Sequence, residues 1–359
     1  MKKNFYVSMF TFLVGAFFAC ASVSDAQTTR RQQTGNKGKA TTTATATMTI
    51  SPADASLTLP MPASDALMFV EVRRLLNEGL PRALASDPAK LMEVNADIEQ
   101  FKQRTGLDAR AFERVAIGVR FTNPTPDVTK IDHIVAVARG TFNMNALVGA
   151  GREAAKNQSQ EIKHGGKTIY VFSVNSEMKL FGLFNMRVRE LALTAIDANT
   201  LVIGEPTEVR AAIDASTGRG RIASELVLLA RRTPDAIVGF GSQVPRTLLA
   251  KVEGFGNDEV ARSVASIRQM YGSLGANATE GFDVLTVLRT ATEADARTLN
   301  STIDALKPLA SFAVAQMKGE KGKLAQSALQ SLRVTTQGNE VSLNLKLAQN
   351  DLAMMLRAF

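Results

Sequence analysis

The stretch Asp65–Leu76 reads DALMFVEVRRLL, and 170 positions later a similar phrase returns at Asp235–Leu249 as DAIVGFGSQVPRTLL. In the first copy Ala66–Val72 is an apolar run of β-formers, which reads as a strand, and Arg73–Leu84 reads as a short helix broken near Pro81. In the second copy Asp235–Gly241 reads as a strand. The order of elements that follows each copy sets the architecture.

After the first phrase, Asp87-Pro88 offers an N-cap with proline at the first helical position. Leu91, Val94, Ile98 and Phe101 then recur at helical spacing, and Gly106 closes the helix. Two strands, Arg114–Phe121 and His133–Arg139, flank the turn-rich TNPTPDVTKI. Asn143 is placed to cap a helix running to about Lys156, and Lys167–Val174 reads as a strand entered through Gly165-Gly166. LALTAIDANTLVIG reads as a hairpin about Asn199, followed by a short helix from Pro206 with Val209 and Ile213 on one side.

After the second phrase, Asp258 opens a predicted helix carrying Val260, Val264, Ile267, Met270, Tyr271 and Leu274, closed by Gly275. Gly281–Arg289 reads as a strand. Asp295 opens a helix with Leu299, Ile303 and Leu306, interrupted at Pro308, and KGEKGK reads as a solvated break. In the hairpin about Gly338-Asn339, Val341, Leu343, Leu345 and Leu347 alternate with polar residues, which buries one face. A terminal helix is expected after Asn350. Strand, helix, strand, helix, hairpin and short helix thus occur in each half. The expectation is α+β: a duplicated unit with helices packed on one face of a mainly antiparallel sheet, residues 61–222 forming unit 1 and residues 223–359 unit 2.

Ahead of these units, Lys2 and Lys3 precede an apolar run over Phe5–Ala19, too short to span a bilayer, and Ser24-Asp25-Ala26 fits cleavage before Gln27. Residues 1–26 therefore read as an export signal. Residues 27–60, rich in Thr, Ala, Gln and Gly with no aromatic residue, read as a disordered linker. The alternative of a lipidated Cys20 departs from the usual pattern because Phe17 and Phe18 precede it. Cys20 is the sole cysteine, so a chain cleaved at Ala26 has no disulfide and no thiolate. The net charge of +8 is concentrated in Arg30, Arg31, Lys37 and Lys39, and only +3 is spread over residues 54–359. That distribution excludes a nucleic-acid stripe and leaves a weak membrane-surface contact for the basic tail.

HIVAVARGTFNMNALVGAGREAAKNQSQEIKHGGKTIYVF carries Arg139-Gly140-Thr141-Phe142, a helix, and Gly166-Lys167-Thr168-Ile169-Tyr170. With LALTAIDANTLVIGEPTEVRAAID, this resembles a family of uncharacterised exported proteins of soil bacteria over about residues 65–215. The resemblance implies export and an envelope role, and it names no catalytic residue.

Candidate chemistry is sparse. VGAGREA at Val148–Ala154 matches a dinucleotide fingerprint, but Gly149 falls inside the predicted helix. HGGKT at His164–Thr168 has Glu161 where a phosphate loop needs glycine, so it reads as a hairpin turn. Ser176 and Lys179 form an S-x-x-K pair, which on a helix sets the amine one turn from the hydroxyl. His133 and His164 are the sole histidines, too few for a clustered metal site without carboxylates. There is no tryptophan and there are three tyrosines, which argues against a base- or sugar-stacking platform, and Met354-Met355 reads as core. The expectation is an exported, non-catalytic envelope or periplasmic protein without cofactor or metal, binding a protein or envelope component. The alternatives are a periplasmic hydrolase using Ser176 and Lys179, and a carrier of an apolar ligand held between helices and sheet.

Overall fold

The computed structural model describes residues 59–125, 128–180, 184–245, 258–277, 281–317, 319–349 and 351. Its strands are β1 (Ala66–Glu71), β2 (Phe112–Thr125), β3 (Val128–Gly140), β4 (Ser159–His164), β5 (Lys167–Leu180) and β6 (Phe184–Asp197), then β7 (Thr200–Gly204), β8 (Val238–Gln243), β9 (Ile267–Ala276), β10 (Phe282–Thr290), β11 (Arg333–Gln337) and β12 (Glu340–Leu347). The helices are α1 (Pro88–Thr105), α2 (Met144–Ala154), α3 (Pro206–Ser216), α4 (Ser224–Ala230), α5 (Asp258–Ala265), α6 (Glu293–Ala315) and α7 (Gly319–Ser331).

The two phrases of the sequence meet in space. β1 pairs with β8 in antiparallel register, Ala66 opposite Ser242 and Val70 opposite Val238. From this pair one arm runs β2-β3-β7-β6-β5-β4 and the other β9-β10-β12-β11, giving a single 12-stranded sheet that spans both predicted units. β1 is apolar from Ala66 to Val70 because both its faces are covered there. Met68 and Val70 join Ile117, Ile134 and Phe240 beneath Phe101 of α1, Leu147 of α2 and Leu324 of α7. Leu67 and Phe69 join Val135, Val137 and Val202 on the opposite face, under Val209 and Ile213 of α3 and Ala230 of α4. Helices therefore lie on both faces, with α3 and α4 on the second, a correction to the expected single covered face that follows from β1 being apolar on both its sides.

Local signals act as read at several points. Asp87 accepts from the Lys90 amide at 3.1 Å. Gly106 takes a left-handed φ of 67°, and Asn143 accepts from the Ala146 amide at 3.1 Å. Thr292 and Asp295 cap α6 reciprocally. Near Pro81 the helical segment continues through a π turn over Leu75–Gly79, which shifts the hydrogen-bond register just ahead of the residue that has no N–H.

Four expectations are corrected. The predicted helix Asp258–Gly275 stops at Ala265, and Ile267–Ala276 is a strand between β8 and β10. Spacings of three and four residues fit a helix, but Ile267, Gln269, Tyr271 and Ser273 are buried at period two. Gly272 marks the strand, since a Cβ there would lie 2.0 Å from the Leu285 carbonyl and 2.8 Å from the Phe240 ring. β8 starts at Val238, three residues after the expected Asp235. α6 runs through Pro308, on a stretch of the helix exposed to solvent. The KGEKGK break begins α7 at Gly319. The helix expected after Asn350 and the pair Met354-Met355 lie outside the described residues, apart from Asp351.

α4 sits on two glycines of β8. A Cβ on Gly239 would fall 2.1 Å from the Ala230 carbonyl oxygen, and one on Gly241 would fall 3.0 Å from the Leu229 Cβ. Gly149 of α2, in contrast, faces open space. We expect Gly239→Ala to cost about 2–4 kcal/mol through displacement of α4, and Gly149→Ala to gain up to about 1 kcal/mol of helix propensity. Thermal unfolding of the two variants should therefore move in opposite directions.

Candidate functional site

The residues singled out in the sequence are scattered. Gly149 and Gly151 lie inside α2, where a Cβ on Gly151 would meet the Phe172 ring at 2.6 Å, so the small-residue face packs against the sheet. Gly165 and Gly166, with φ of 52° and 75°, form the two-residue turn between β4 and β5. Ser176 and Lys179 lie in extended β5, opposite Val188 and Asn185 of β6. A strand rises about 3.3 Å per residue, which separates their backbones by roughly 10 Å and removes the one-turn relation the dyad requires.

Both histidines bind α3 instead. His133 Nδ1 lies 3.1 Å from Glu205 Oε2 and 3.7 Å from Glu208 Oε1 at the start of the helix. Arg120 also reaches the buried Glu208, at 3.4 Å. At the other end His164 Nε2 lies 3.2 Å from Asp214 Oδ1. Arg219 donates to Asp214 and, with His164, holds its carboxyl below the usual range against the opposing effect of burial. These contacts clamp α3 to the sheet. Among the described residues no group of three or more His, Cys, Asp or Glu is placed to hold a metal.

Two polar assemblies flank α4. The first lies on β9, β10 and β12. Tyr271 donates to Glu340 Oε2 at 2.9 Å, and Arg289 donates through Nε and Nη2 to Glu340 Oε1 at 3.0 and 2.8 Å. Arg232 and Arg289 lie 5.2 and 5.7 Å from the centre of the Tyr271 ring. Burial, and then the bond to Glu340, push the Tyr271 phenol up to about 12. Burial pushes Glu340 up as well, but hydrogen bonds from Arg289 and Tyr271 outweigh it and hold the carboxyl below its ordinary value.

The second assembly is an open cleft of about 230 Å³. Phe69 of β1 forms its floor, facing Gly239 in the register. Arg114 and Arg231 lie 6.0 and 5.8 Å from the ring centre. Arg114 is paired with Glu71, its neighbour across β1 and β2, at 2.5 Å. Arg74 binds Glu78 at 3.0 Å and also donates to the Asp235 carbonyl oxygen. No sequence motif announces this cleft, because its arginines come from three separate segments.

A third feature is apolar. The first half of α6 is buried through Ala296, Leu299 and Thr302, whereas Leu306, Leu309, Phe312 and Met317 beyond it are exposed, Leu309 by 66% and Phe312 by 68%. The first three recur at steps of three and form a row on the helix surface. Of this row the sequence reading reached only Leu306, because the helix was expected to be interrupted at Pro308. Among the described residues no helix is long and apolar enough to cross a membrane.

No family model matches the chain, and no curated protein matches it. Among solved structures it is similar to crystal form I of TP0453, at 10% sequence identity and a TM-score of 0.41, over 84% of this chain and 95% of that one.

The Tyr271 network gives a pH signature. A phenol raised on folding adds stability that is complete below its unfolded value near 10 and is lost as pH rises through about 12. We expect the melting-temperature gap between the wild type and Tyr271→Phe to be widest below about pH 10 and to close as pH approaches about 12. A gap independent of pH over that range would contradict this account of the network.

Proposed function

We propose that this chain is an exported, non-catalytic protein of the cell envelope that lies against the anionic face of a membrane through the exposed end of α6. The observation that carries this reading is the row Leu306, Leu309 and Phe312, continued by Met317, left facing water. Burying such a side chain is worth about 1.5–3 kcal/mol, so a single copy has reason to cover the row.

Charge selects the occupant. In the sequence, α6 is followed by Lys318, Lys321 and Lys323, with Glu320 the one acid among them. A basic residue close to an anionic membrane surface adds about 1 kcal/mol. Shallow insertion of apolar side chains flanked by lysines is the pattern of an interfacial helix, which lies on a bilayer without spanning it. The short apolar leader and the basic tail of Arg30, Arg31, Lys37 and Lys39 support export and a second weak attachment. The ionisable groups around α3 and α4 are paired so that Arg120 with Glu208 and Arg289 with Glu225 hold helices to the sheet, which supports a non-catalytic role. The matching order of the two sheet arms supports the internal duplication that we propose alongside.

The mature chain should fractionate with the envelope and float with phosphatidylglycerol vesicles, and it should float far less with phosphatidylcholine. The double variant Leu309→Glu/Phe312→Glu should bind at least about tenfold more weakly while melting as the wild type does, because both side chains are already exposed. Recovery in the cytosol would overturn the reading. So would a variant that floats as well as the wild type, or attachment in cells that needs a protein partner and no lipid.

A further inference from the structure

β4 and β11 end the strand order, so among the described residues each has one side with no strand beside it. We propose that β11 is the edge through which two copies of this chain pair, antiparallel and about a two-fold axis at Thr335, independently of the attachment proposed above. The hairpin decides which backbone groups are open there. Gly338-Asn339 is a two-residue turn, so Gln337 and Glu340 form its first hydrogen-bonded pair. Every second pair repeats that pattern, so Thr335 and Arg333 also bond inward, to Ser342 and Asn344. The N–H and C=O of Val334 and Thr336 therefore point away from β12.

A second copy of the same edge fits these groups. With Thr335 opposite Thr335 of the second copy, Val334 of each chain stands opposite Thr336 of the other. Each of these residues then donates once and accepts once, which makes four main-chain bonds. A slip of two residues either way sets one of them against the turn at Gly338 or against Leu332 at the end of α7 and loses bonds. In the proposed register Arg333 falls opposite Gln337, whose side-chain oxygen accepts from a guanidinium, so no like charges face each other. The other outer strand is guarded. The Gly165-Gly166 turn makes His164 and Lys167 the first bonded pair of β4 and β5, which turns the exposed Glu161 and Lys163 outward. Charged side chains are the usual protection of a free edge, whereas β11 offers the strand-formers valine and threonine. Val334 packs under α6 with Leu299 and Ile303. The axis of an antiparallel pairing stands perpendicular to the sheet, so α6 of both copies lies on one face of the joined sheet. The contact is small, and such interfaces belong to the weak end of the range.

A chain cleaved before Gln27 has no cysteine, so an introduced one reports its own neighbour. At a non-hydrogen-bonded antiparallel pair the Cα atoms lie about 4.5 Å apart, within the span of a disulfide. Under mild oxidation Thr335→Cys should form a linked dimer at least about tenfold faster than Gln337→Cys, whose two copies are held roughly 13 Å apart in this register. By sedimentation equilibrium the wild type should dimerise reversibly. Thr335→Lys and Thr335→Glu should each weaken that association by at least about tenfold, because like charges then meet at the axis, and an equal mixture of the two should restore it. Thr335 is exposed in the single chain, so thermal unfolding of each variant should match the wild type. A wild type that stays monomeric up to about 1 mM, also where the edge takes up an extended segment of another protein, would overturn the proposal. Equal crosslinking of the two cysteine variants, association that survives Thr335→Lys, or a mixture that does not re-form the dimer would overturn it as well.

Discussion

The fold depends on the antiparallel contact between β1 and β8, which is the only strand pairing in the sheet order that joins residues before and after α4. Both strands are buried on both faces, so neither can be exchanged for a polar edge. On one face Met68, Val70, Val238 and Phe240 pack beneath the longer helices. On the other, Phe69 and Leu67 stand opposite Gly239 and Gly241. That pairing of large with absent side chains leaves room for α4 to lie directly on the sheet. Two glycines in a central strand thus set the position of a helix.

Helix α4 is short, and seven residues alone do not hold a helix in water. It is fixed from both sides by charged groups that reach back to the sheet. Glu225 lies 3.4 Å from Arg289, and Arg232, just past the helix, lies 3.6 Å from Glu340. The Tyr271 and Glu340 pair beneath them is buried enough for the phenol to be held protonated far into alkali. α3, the other helix on this face, is held by the same device in a different form, with a histidine against a carboxylate near each end. The second face thus adds polar contacts around two short helices to its apolar packing, whereas the first is held chiefly by apolar packing of longer ones.

What could be read in the sequence follows the range of the interactions involved. Caps and turns are local, so Asp87, Asn143, Gly106 and the Gly165-Gly166 turn were legible as signals and act as such in the structure. β9 was not legible because its Met270, Tyr271 and Leu274 also satisfy helical spacing, which hides the period-two burial that begins at Ile267. The course of α6 through Pro308 turns on solvent exposure, which no window of sequence reports. The cleft was the least accessible feature of all. Arg74, Arg114 and Arg231 are ordinary surface residues in their own segments, and only the sheet register that sets Glu71 against Arg114 gathers them around Phe69.

α6 changes character along its length. A single helix buries Ala296 and Leu299 almost completely in its first turns, then carries Leu309 and Phe312 about two-thirds exposed. Isolated apolar residues on a surface are normal, but several gathered on one element mark a contact. The polar choice was open at these positions: Lys307 and Asp304, which lie on the same helix, are joined as an exposed ion pair at 2.7 Å. The exposed apolar residues follow the buried part of α6, and in the sequence they are followed by Lys318, Lys321 and Lys323. A helix whose buried half anchors it to the sheet and whose outer half presents leucine and phenylalanine beside lysine is suited to meet an interface that is apolar within and anionic at its surface.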